Sequence, residues 1–225
     1  MRRVTAFALA LSAAFSLCLP TPALSQRLAG WYGLSIHSGF AVGDKLHFVD
    51  REPWPVESIL GIPYFGAGLS YFITDNIGCG IDLAYIGFPN TDVGYSITAG
   101  SPSWYSWKYG VHFKYTIYPF SSTGTYLKLG LWQARLKGDS ESSGGGKRRM
   151  QTPYTPEWEL GIGVMKVSPS NTTLYAEIAY SQLLTQGVHV RVDGKPSDWT
   201  YPSDLRLYKV RIGLMIPFGG RQDEP

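Results

Sequence analysis

Cysteine is almost missing from this chain: Cys18 and Cys79 are the only two in 225 residues. Cys18 sits in an apolar N-terminal segment with the composition of a cleaved leader, which leaves Cys79 alone and excludes an internal disulfide framework. Long apolar runs are missing too. Beyond residue 19 no stretch approaches 18 uncharged apolar residues, so membrane-spanning helices are excluded. Charge is scarce, at 16% of residues, where an ordinary soluble domain carries about 25%. It is also balanced: the formal net charge is +3, and without Arg2 and Arg3 the chain holds 18 basic against 17 acidic residues. That balance speaks against nucleic acid as a partner. What is plentiful is glycine, with 26 residues, and tyrosine, with 15.

The chain opens Met1-Arg2-Arg3, runs apolar from Val4 to Leu19, and continues through Pro20 and Pro22 to Ala23-Leu24-Ser25. A basic start, a short apolar stretch and small residues at the −3 and −1 positions predict a signal peptide over residues 1–25. Leu17 stands before Cys18 where lipidation would need a small residue, so a lipoprotein is not expected. One domain is expected over 26–225, with strands over about 30–218 and a short tail at 219–225.

Period-two alternation then recurs eight times. Tyr32, Leu34, Ile36, Phe40 and Val42 alternate with Gly33, Ser35, His37, Gly39 and Ala41. Phe65, Ala67, Leu69, Tyr71 and Ile73 alternate with Gly66, Gly68 and Ser70. Similar runs follow near 77–88, 104–118, 127–132, 157–164, 174–181 and 208–218. Such alternation marks strands whose two faces meet different surroundings. The links alternate as well. Those near 74–76, 119–124 and 167–172 are short, whereas 43–61, 89–103, 136–156 and 184–204 are long. Short turns at one end and long loops at the other are the pattern of an antiparallel barrel crossing a membrane.

The polar face decides where the apolar face points. It is glycine-rich and carries few charges, of both signs: Asp82, Glu157, Glu159 and Glu177 against Lys108, Lys114, Lys128, Lys209 and Arg211. A water-facing surface carries more. A narrow lumen filled by small residues and paired charges fits better, with the apolar face in lipid. A sheet in lipid must close, because an open edge leaves backbone groups unpaired. The expectation is an all-β fold: a closed, eight-stranded, antiparallel, up-and-down transmembrane β-barrel.

The last strand reads Arg211-Ile212-Gly213-Leu214-Met215-Ile216-Pro217-Phe218. Arg211, Gly213, Ile216 and Phe218 match the C-terminal assembly signal of bacterial outer-membrane proteins, although Gly219–Pro225 follow the aromatic residue. Residues 30–218 thus resemble the small OmpA/OmpX-type barrels and the broad outer-membrane protein β-barrel family. The resemblance implies residence in the cell outer membrane, recognition of the terminal signal by the barrel-insertion machinery, and no cofactor.

Counting residues upward from the short turns predicts a lumenal ion pair between Asp82 and Lys114, and another between Glu177 and Arg211. Lys128, Glu159 and Lys209 complete the expected network. The stretch Ser142–Arg149 reads as a flexible loop tip, and Lys147, Arg148 and Arg149 on it are candidates for contact with anionic lipopolysaccharide. Trp54 and Trp199 stand near prolines in long loops, as partner contacts or loop anchors. Asn171-Thr172-Thr173 fits a glycosylation sequon in a short turn.

Catalytic motifs fail. Gly144-Gly145-Gly146-Lys147 lacks the first glycine of a phosphate loop and has Arg148 where Ser or Thr is required. A lipid-modifying enzyme of the His-x-Ser type needs both residues on one face, yet His37 and Ser38 are adjacent and point oppositely. His112 and His189 have no such partner, and His47 lies between Asp44 and Asp50 in a loop. No catalytic, cofactor-binding or metal site is expected. The function expected is a structural or surface-interaction barrel displaying four external loops to an unidentified partner. The alternatives are a lipid-modifying outer-membrane enzyme and a soluble periplasmic barrel holding an apolar ligand.

Overall fold

The computed structural model describes residues 28–44, 59–88, 103–117, 123–141, 147–168, 172–184, 188–201 and 206–219. The leader 1–25, His47, Trp54, the glycine run 144–146 and Asn171 lie outside them. Eleven strands occur among the described residues: β1 (Tyr32–Asp44), β2 (Ile59–Phe72), β3 (Ile77–Phe88), β4 (Ser103–Ile117), β5 (Thr123–Glu141), β6 (Lys147–Gln151), β7 (Thr155–Val167), β8 (Thr173–Leu183), β9 (Val188–Val192), β10 (Lys195–Tyr201) and β11 (Arg206–Phe218).

Eight of them close a barrel in the order β1-β2-β3-β4-β5-β7-β8-β11, with β11 returning to β1 and β5 pairing β7. Every pairing is antiparallel. The eight alternating segments of the sequence map onto these eight strands. Closure leaves the barrel no free edge, which a hydrocarbon environment requires.

The other three strands correct the sequence expectation that 136–156 and 184–204 are plain loops. β5 runs on to Glu141, well past the barrel rim, and β6 folds back along it. β9 and β10 form a hairpin turned at Asp193 and Gly194, both with positive φ, and β9 pairs with β6 at Met150–Val192 and Gln151–Arg191. Two loops far apart in sequence thus form one external sheet, β5-β6-β9-β10. Lys147–Arg149 belong to a paired strand rather than to a flexible tip.

The outside of the barrel is apolar. Leu34, Ile36, Phe65, Leu69, Ile81, Leu83, Val111, Phe113, Leu129, Leu131, Ile162, Ile178 and Ile212 all point outward and are exposed. Ile36 and Ile81, at 59% relative exposure each, are the most exposed of them. Asp82, Lys108, Lys128, Glu157, Glu159, Glu177, Lys209 and Arg211 instead face inward and are buried. A soluble barrel would have these faces reversed, so this arrangement excludes the soluble alternative and suits lipid.

The lumen is layered. At the turn end Leu28, Phe72, Tyr126, Met165, Tyr175 and Met215 form an apolar plug, with Trp31 against it. The chain before β1 is pinned there: Asp75 accepts hydrogen bonds from the backbone N–H of Leu28 (2.7 Å) and Ala29 (3.0 Å). The β2–β3 turn is stiffened by Thr74, whose hydroxyl accepts from the N–H of Ile77 at 3.0 Å. Ala41, Ile86, Leu136 and Leu207 are buried toward the loop end. Between the two apolar layers lies the ionic layer.

Candidate functional site: the ionic lumen

Inward-facing positions of adjacent strands bring nine charged side chains into one narrow space. Eight of them fall into two connected groups, and Lys114 is the ninth. In the first, Lys108 and Lys209 both reach Glu157, Lys209 also reaches Glu159 (2.6 Å), and Arg211 joins Glu159 (2.8 Å) to Glu177. Arg211 also donates to the Tyr64 hydroxyl (3.1 Å), and the Tyr126 hydroxyl donates to Glu177 (2.9 Å). Glu159 and Lys209 are wholly buried, at 0% exposure each. Buried charges survive only when paired and hydrogen-bonded, and alternation of sign along this chain meets that condition.

The second group centres on Asp82. Lys128 donates to its Oδ2 at 2.7 Å, and His112 Nδ1 lies 2.9 Å from the same oxygen. Gly68, the register partner of Asp82 on β2, leaves room for this carboxylate; a Cβ there would collide with Asp82 Oδ1.

The expected pair between Asp82 and Lys114 is not formed. The register sets Asp82 opposite Gly110, and Lys114 opposite Gly78. Strand ends in a closed barrel are staggered by the shear, so counting levels from turn tips misplaces neighbours. Lys114 has Lys128 directly opposite on β5. The two like charges part: Lys128 turns to Asp82, and Lys114 stands over the rings of Tyr126 (4.6 Å) and Tyr175 (5.5 Å). A ring face supplies the negative potential that a carboxylate would. Glu177 and Arg211, by contrast, are direct register partners on β8 and β11.

Sequence reasoning missed one cluster. Ser70 Oγ lies 3.2 Å from His112 Nε2, and His112 adjoins Asp82, so β2, β4 and β3 contribute a hydroxyl, an imidazole and a carboxylate in line. No single-strand pattern reveals it, because each residue comes from a different strand. The distances are those of a Ser–His–Asp line, but Asp82 Oδ2 is shared with Lys128, which donates to it at 2.7 Å. Ser70 and His112 are both buried against packed neighbours, and a Cβ on Gly80 would already press on His112. An acyl group has no room beside that hydroxyl. His37, whose Nδ1 meets the Tyr175 hydroxyl at 3.2 Å while its ring stacks on Tyr64, is likewise part of the packing.

The assembly-signal residues separate by role. Arg211 is lumenal, whereas Ile216 and Phe218 point outward. Phe218 pairs with Tyr32 on β1, their rings stacked at 5.8 Å. Gly213 lies where the Tyr175 ring crosses, and a Cβ would collide with it. On the external sheet, Lys147 pairs with Glu141, Arg148 with Ser140 and Arg149 with Asp139. Arg149 is exposed, its N–H donating to Asp193 Oδ1 at 2.9 Å.

No family model and no curated protein sequence matches the chain. Solved structures do. The fold is similar to Neisserial surface protein A (TM-score 0.57, 15% identity, covering 83% of this chain and 97% of that one). It is similar to Ail, the attachment invasion locus protein of Yersinia pestis (0.52, 14%, 84% and 99%), and to a major outer membrane protein of Thermus thermophilus (0.58, 10%, 84% and 100%). At these identities the likeness is one of fold: the chain has the closed eight-stranded barrel of small outer-membrane proteins.

Proposed function

We propose that this protein is an outer-membrane barrel whose task is to hold and display its external sheet, as a structural or surface-interaction protein rather than a pore or an enzyme. One observation carries the reading: the lumen is filled. Arg211, Lys209, Glu159, Tyr64 and Tyr126 are all essentially inaccessible, and apolar side chains are buried on both sides of them. An eight-stranded barrel has just enough interior for its own side chains, and these use it. The barrel therefore acts as an anchor, and its elaboration lies at the loop end, where two loops are joined into a sheet. The names of two fold relatives, a surface protein and an attachment protein, are in keeping with this.

The termini of the barrel sequence and its short turns would then face the periplasm, and β6, β9 and β10 the cell exterior. The test is topological. A cysteine at Lys195, in a Cys79→Ser background, should react with a membrane-impermeant maleimide on intact cells. One at Asp75 should react only after lysis. Labelling of Asp75→Cys on intact cells would overturn the orientation. Solute flux through reconstituted vesicles well above the protein-free rate would overturn the filled-anchor reading.

A further inference from the structure

We propose that the outward face of the external sheet binds phosphate groups of lipid headgroups in the adjoining leaflet, through Arg135, Lys137 and Arg191. This deepens the outer-membrane reading above and rests on it.

β5 is 19 residues long and keeps its alternation as far as Gly138. Leu127, Leu129 and Leu131 point out from the barrel and are exposed, while Lys128, Gly130, Trp132, Ala134 and Leu136 are buried. Gln133, Arg135 and Lys137 continue the outward face just beyond the apolar belt. The register carries that face across the external sheet: Lys137 is opposite Gln151, and Gln151 is opposite Arg191. Paired strands lie about 4.8 Å apart, so the backbones of Lys137 and Arg191 stand about 10 Å apart, within reach of one phosphate group for two long side chains. Arg135 lies one row nearer the belt. It is held by Gln151 Oε1 (2.8 Å) and the Thr152 carbonyl (3.3 Å), with its guanidinium over the Tyr154 ring at 5.2 Å.

The neighbours on β4 fix the level. Trp107 is opposite Arg135, and Tyr105 is opposite Lys137. Tyr85 packs on both of these aromatics, and Tyr109 meets Tyr154 edge-on. The cations therefore stand in an aromatic girdle between apolar belt and water, which is the headgroup level. Acids register farther out: Asp139 is opposite Arg149, whose N–H is bonded by Asp193. The row nearest the membrane is cationic and the next is mixed. This site uses none of Lys147, Arg148 and Arg149: two of its cations lie on β5, nearer the membrane, and one on β9. Lipid is the occupant because the cationic face is continuous with the lipid-facing one, so acyl chains below and phosphates above meet a single surface.

The experiment uses the full barrel in phosphatidylcholine nanodiscs doped with lipid A carrying both phosphates, and reads lipid A retained per barrel after extraction by native mass spectrometry. Wild type should retain lipid A. The K137Q/R191Q variant should retain it about fivefold less tightly for each charge removed. K195Q should match wild type, because Lys195 is opposite Val192 on the other face. Dephosphorylated lipid A should bind wild type no better than intact lipid A binds the double variant, and millimolar inorganic phosphate should not release it. Equal retention by wild type and K137Q/R191Q would overturn the site, and complete release by inorganic phosphate would overturn its assignment to lipid. Heat-modifiable gel migration of every variant is read in parallel. Its absence in wild type would reject the underlying barrel reading instead.

Discussion

Lys128 reaches Asp82 past an intervening strand: the ammonium on β5 and the carboxylate on β3 meet at 2.7 Å, with β4 between them. Gly110, the β4 partner of Asp82, has no side chain to stand in the way. The pair is buried, and removing one partner of a buried pair typically costs about 3–5 kcal/mol. Asp82→Ala and Lys128→Ala should each destabilise the barrel, and the double variant should lose far less than the sum. A cycle on Asp82→Ala and Lys114→Ala should be close to additive. Urea unfolding in lipid vesicles measures both. Strong coupling to Lys114, with none to Lys128, would contradict the register.

Gly213 and Phe218 both match the expected terminal signal, yet their variants should fail in different assays. Gly213→Ala sets a methyl against the Tyr175 ring in a packed lumen, where overpacking costs about 1–3 kcal/mol. It should therefore fold poorly even into pure lipid vesicles. Phe218 is 46% exposed and stacks on Tyr32. Phe218→Ala should fold nearly normally in vesicles yet assemble poorly in cells, the outcome expected of a residue in an assembly signal. Equal cellular assembly of Phe218→Ala and wild type would show that the residue is not read.

Ser70 should be inert. Its hydroxyl touches His112, but it is sealed in the lumen beside a carboxylate committed to Lys128. A fluorophosphonate probe should label wild type no more than Ser70→Ala, and overexpression should leave lipid A unchanged. Labelling that disappears in Ser70→Ala would make this cluster a nucleophilic site after all.

Met150 and Val192 are register partners across the two joined loops. In a Cys79→Ser background, Met150→Cys with Val192→Cys should form a disulfide under mild oxidation, because directly paired Cα atoms in an antiparallel ladder lie within disulfide range of about 4.4–6.8 Å. A gel shift after cleavage at an engineered site between β6 and β9 reads the bond. Failure to cross-link, with both cysteines reactive to maleimide, would mean the external sheet is not formed.

Period two is a property of one strand's own backbone, so eight stretches of alternation were enough to determine the number of barrel strands and which face of each meets lipid. The scarcity of charge on the glycine-rich face of Gly66, Gly68 and Gly80 likewise marked the lumen before any partner was known. Which charge meets which was decided only by the closed barrel. Glu177 and Arg211 lie directly across one register, so level counting reaches them. Asp82 finds Lys128 instead of Lys114 because the stagger between strands depends on closure, to which no single strand holds the key. The proximity of Ser70, His112 and Asp82 has the same origin. So does the external sheet: Met150 and Val192 are 42 positions apart in the numbering, and their pairing exists only because the barrel brings the ends of β5, β7 and β8 to one rim. Local alternation sets faces, while stagger and closure set partners.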